Sequence, residues 1–93
     1  MGDVKIFVLD RGWVIVAEVA GRSSCGMTWL LGWTAVVRRW GTTGGLGELA
    51  VHGPQTKTIL DTEPSGGEIN HHSIMRVIPC GDAWKGWIEK QTH

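Results

Sequence analysis

Tyrosine is absent from this chain and phenylalanine occurs once, so six tryptophans carry almost all of the aromatic chemistry. Two cysteines, Cys25 and Cys80, are too few for a disulfide framework, and no C-x-x-C spacing offers a metal site. Reduced thiols in a cytosolic protein are the default expectation. No apolar run approaches the ~20 residues that span a membrane, and no membrane partner is expected. The first residues lack a basic region followed by a long apolar core and a small-residue cleavage site, so no signal peptide is expected. Nine basic and nine acidic side chains leave no net charge, which argues against broad binding to nucleic acid. There is no internal repeat and no low-complexity tract.

What is present belongs to a small globular protein. At 93 residues one domain is expected, and 42% apolar against 19% charged residues excludes a disordered chain. The chain divides into one β domain over 1–82 and a Trp-containing tail or helix over 83–93. A core this small cannot hide six tryptophans, so some are expected at a subunit interface of a homo-oligomer.

In order, Val4–Leu9 and Trp13–Val19 read as strands of a hairpin across a tight turn at Asp10-Arg11-Gly12. A loop over 20–26 leads to a third strand, Met27–Leu31. Gly32 is a bulge or turn candidate, and Trp33–Trp40 is a fourth strand. Leu46–Val51 makes one or two helical turns, with Gly45 as a cap and Gly53-Pro54 as the stop. Lys57–Leu60 and Glu68–Asn70 are short strands that pair with each other across a loop, and Ser73–Cys80 is the last strand. Trp84, Trp87 and Ile88 give a short amphipathic helix at the C-terminal end. The expected class is all-β, a small barrel or strongly bent antiparallel sheet with two short helices.

The densest recognition chemistry runs from Val36 to Ala50. Arg38, Arg39, Trp40, Gly41, Thr42, Thr43, Gly45 and Gly47 are the candidate ligand-binding residues. Arg forks pair with phosphate or carboxylate. A Trp face stacks on a base. Glycines let the backbone close on oxygens, and a helix N-terminus adds positive dipole. Regular alternation puts Arg38 and Arg39 on opposite strand faces. The plainer alternative is an edge strand whose Trp40 is core and whose arginines are solvated or paired with Glu48 and Asp61.

Other patterns carry less. No Gly-Lys-Ser/Thr follows the glycines, so this is not a Walker loop. Gly45-Leu46-Gly47-Glu48-Leu49-Ala50 fits G-x-G-x-x-A, but the chain is too short for a doubly wound fold. His71-His72 make a poor metal pair and read as rim histidines. Glu48 and His52 at i, i+4 read as a helix-surface pair. Asp61 and Glu63 read as solvated carboxylates. No Ser or Cys sits in a nucleophile context. No catalytic residue, metal or cofactor is assigned.

The chain resembles a family of small proteins met mainly in phages and prophages. The resemblance rests on Lys5–Trp13, Val37–Thr43, Gly45–Ala50, Gly53-Pro54, Thr58–Asp61 and the closing strand to Cys80. It implies a phage protein in the host cytosol. Small phage proteins include sponges that hold host immune nucleotides between subunits. By that analogy the expected function is capture of a nucleotide-derived signal: a cyclic ADP-ribose isomer, an ADP-ribose conjugate or a cyclic dinucleotide. Trp40 would stack on the base, Arg38 or Arg39 would pair with phosphate, and Thr42 and Thr43 would complete the cradle. Two alternatives stand beside it. One is an enzyme that cleaves such a nucleotide through His52, His71 or His72. The other is an interaction module with an SH3-like barrel.

Overall fold

The computed structural model describes residues 3–41, 44–63 and 66–91. Six strands form one antiparallel sheet: β1 Val4–Leu9, β2 Val14–Arg22, β3 Thr28–Arg39, β4 Ile59–Glu63, β5 Gly67–Asn70 and β6 Ile74–Pro79. Two helices, α1 Gly45–His52 and α2 Asp82–Gln91, complete the fold. A 3-10 turn over Asp10–Gly12 closes the first hairpin, with Arg11 in the left-handed region at φ 62°.

The strand order is β4-β3-β2-β1-β6. Edges β4 and β6 do not pair with each other, so the sheet is open and the expected barrel is not formed. The middle also differs from expectation. Gly32 does not separate two strands, because β3 runs unbroken for 12 residues. Nor do β4 and β5 pair with each other. They lie end to end along one edge of β3, with β4 on 34–39 and β5 on 28–31. Gly66 makes this possible. A Cβ there would stand 2.2 Å from the Leu31 carbonyl oxygen at φ 73°, so the chain passes close along β3 where only glycine fits.

Bulges in β3 decide which side chains face which way. Ala17 pairs with Thr34 and Val19 with Leu31, so β3 holds one residue more than β2 around Gly32. The extra residue inverts the alternation. Trp29 and Leu31 pack into one core cluster, while Trp33, Ala35 and Val37 pack into another.

The larger cluster lies between the sheet and the helices. It joins Val4, Ile6, Val16, Trp33 and Ala35 to Leu49, Ala50, Trp84 and Ile88. Trp84 is fully buried and its indole N–H donates to the Leu49 carbonyl at 2.6 Å. That satisfies a buried donor and ties α2 to α1. The i, i+3, i+4 spacing of Trp84, Trp87 and Ile88 therefore faces the core, as its period implies. The smaller cluster, around Phe7, Ile15, Ala17 and Leu31, lies on the other face of the sheet. There Phe7 meets Trp29 edge-on at 5.2 Å.

Candidate functional site

The C-terminal end of β3 holds the predicted site and carries a second bulge. Val37 pairs with Leu60 and Arg39 with Ile59, so Arg38 is the extra residue. Side chains directly opposite across an antiparallel pair share a face, and residues two apart on one strand share it too. Arg39 therefore lies on the face of Ile59 and Asp61. Arg38 joins them, its Nε 3.4 Å from Asp61 Oδ2. The opposite-face expectation fails because the bulge cancels one step of the alternation.

The last pair of β2 with β3 at this end is Ile15 with Val36, and Trp13 lies just before β2. Trp13 is 58% exposed. Two exposed guanidiniums thus share one face of the sheet with Ile59 and Asp61. Trp13 was not among the candidate residues. The signal available in sequence was a large aromatic opening a β-branched strand, which reads equally well as core.

The Arg38–Asp61 pair is more than half exposed on both sides. Such pairs contribute only ~0–1 kcal/mol, so Arg38 is weakly held. Arg39 is also exposed, and no ion pair holds it among the described residues.

The remaining candidates have other work. Trp40 is 43% exposed, so it is not core, and it turns toward α1: a Cβ on Gly45 would sit 3.8 Å from its ring. Its carbonyl accepts the Thr58 hydroxyl at 2.6 Å. Gly41, at φ 68°, lies against the Lys57–Thr58 peptide, where an added Cβ would be 2.3 Å from backbone atoms. It is a packing glycine. Gly44, not Gly45, is the N-cap of α1. Its N–H donates to Glu48 Oε2 at 2.8 Å, so the chain's own carboxylate already takes up that donor. Gly47 lies in α1 with open space around its Cα. Thr42 and Thr43 fall outside the described residues.

Elsewhere, His71 accepts the Trp29 indole N–H on Nδ1 at 3.3 Å. Arg22 stacks over Trp29 at 4.4 Å, with Nη2 3.3 Å from the same His71 nitrogen. This braces the β2–β3 hairpin against the turn after β5. His72 and His52 are exposed. Among the described residues no group of three His, Cys, Asp or Glu could hold a metal ion. Both cysteines are free. No helix among the described residues is long and apolar enough to cross a membrane.

Comparison with protein-family models, with curated proteins and with solved structures gives no match.

Proposed function

We propose that this protein captures a nucleotide-derived anion on the surface formed by Trp13, Arg38 and Arg39, and withholds it without transforming it. The observation that carries the reading is the second bulge of β3, which turns both arginines toward one face, and Trp13, just before β2, offers an exposed indole. Phosphate suits the two guanidinium forks, and a base suits the indole face. The resemblance to small phage proteins supplies the setting, in which the ligand is a host immune signal such as a cyclic ADP-ribose isomer, an ADP-ribose conjugate or a cyclic dinucleotide.

The surface is open on a single chain. In this reading a second copy laid over it encloses the ligand and covers Trp13.

The test is calorimetric titration with a panel of cyclic dinucleotides and ADP-ribose derivatives, followed by release of the ligand by heat and chromatography. Saturable binding with ligand recovered intact is expected. Recovery of a cleaved product moves the function to an enzyme and its histidines. Absence of binding across the panel overturns the nucleotide reading.

A further inference from the structure

The opposite face of the sheet, under the helices, carries a groove of about 350 Å3. It opens between the α1–β4 connection, the edge strand β4 and α2, and is lined by Pro54, Gln55, Thr58, Leu60, Thr62 and Trp87. Its volume falls in the ~300–1,000 Å3 range of small-molecule sites. None of the six lining residues is charged, which sets it apart from the arginine surface.

Its walls are fixed. Trp87 makes edge contacts with Trp33 at 5.5 Å and Trp84 at 5.9 Å, so the indole plane is held from behind. Gln55 donates through Nε2 to the carbonyls of His52 at 3.3 Å and Gly53 at 2.9 Å. With both amide hydrogens engaged, Gln55 has only its Oε1 acceptor to offer. The Thr58 hydroxyl donates to the Trp40 carbonyl and accepts the Gln55 backbone N–H at 2.9 Å. Thr62 is exposed on β4, and its hydroxyl supplies both a donor and an acceptor.

An aromatic wall beside oriented acceptors, with no cation, selects a particular chemistry. Hydroxyl donors are satisfied there, whereas an anion would lose its hydration without gaining a partner. We propose that the groove binds an uncharged hydroxylated ring, its C–H face on Trp87 and its hydroxyls on Gln55 Oε1 and Thr62 Oγ1. A free sugar and the ribose of a nucleoside share that chemistry. The site stands on the opposite sheet face from the arginines and does not depend on the proposed function.

The experiment follows the indole N–H resonances by two-dimensional NMR, with the Trp87 signal assigned from Trp87→Phe. Methyl α-glucopyranoside, methyl β-galactopyranoside, N-acetylglucosamine and adenosine are titrated separately, each up to tens of millimolar or its solubility limit. Glucose 6-phosphate and AMP serve as charged controls. A saturable shift of the Trp87 signal with at least one neutral probe is expected, with the charged controls several-fold weaker. A response to glycosides assigns a saccharide site, and a response to adenosine alone assigns a ribose site. Thr62→Val, at an exposed position, should keep the fold and weaken binding several-fold, while Arg39→Ala should leave it unchanged. No shift of Trp87 with any neutral probe overturns the proposal. So does equal binding by Thr62→Val, or tighter binding of the charged controls.

Discussion

Cys25 and Cys80 carry the same thiol, and their surroundings separate them. Cys25 is exposed, and hydrogen bonding from Ser23 and then the Met27 backbone lowers its pKa. Burial pushes the Cys80 thiol up to about 12 from an ordinary 9.0, with Lys5 opposing weakly. A thiol-reactive dye near neutral pH should therefore label Cys25 rapidly and the half-buried Cys80 several-fold more slowly. Two equally fast thiols would contradict the placement of Cys80. The sign of the pH effect follows from the same shift. The folded chain holds the Cys80 proton more tightly than the unfolded chain, so this contribution is intact below pH 9.0 and is lost as pH rises toward about 12. Cys80→Ala should flatten that alkaline fall in a denaturation series. Gly41 belongs to this scale too. Gly41→Ala combines a left-handed φ with a Cβ 2.3 Å from the Lys57–Thr58 backbone. A cost of at least ~1–3 kcal/mol is expected from the backbone region alone, read as a lower midpoint in urea.

Among the elements, β3 governs the rest. It pairs with β2 on one edge and with both β4 and β5 on the other. Its strands' existence was legible from β-branched and aromatic runs, and α2 from the spacing of Trp84, Trp87 and Ile88. Its continuity through Gly32 was not, because a bulge and a turn use the same glycine, and only the partner strand tells them apart. The same limit hid the common face of Arg38 and Arg39. Periodicity in one strand gives alternation, and the extra residue is defined by pairing with β4. Helix α1 was legible from Leu46 and the Gly53 stop, and Gly53 does close it, its N–H donating to the Leu49 carbonyl at 3.0 Å. The use of Glu48 as an internal cap for Gly44 places a negative charge where an anion had been expected. Glu48→Ala should cost ~1 kcal/mol, as other losses of a helix cap do, and chemical denaturation with circular dichroism would show it. An unchanged midpoint would mean that Gly44 finds water as readily.

At the scale of the whole molecule, the open sheet has two unlike faces. The helices cover one and leave the neutral groove at its edge. The other carries the Phe7 cluster and the two arginines, with Glu63 and Glu68 lining a cavity of about 150 Å3. The run of short strands and glycine turns announced a small β protein, but not closure, since a barrel and a bent open sheet share strand lengths and turn residues. It also could not sort the tryptophans. Trp33 and Trp84 are buried, whereas Trp13 and Trp40 are exposed. The central claim is that the β3 bulge builds one anion-binding face. The most direct test compares wild type with Arg39→Ala by calorimetry against whichever member of the nucleotide panel binds best, with circular dichroism as the folding control. The account predicts that Arg39→Ala keeps its fold and loses binding. Unchanged affinity in a folded Arg39→Ala protein would contradict it.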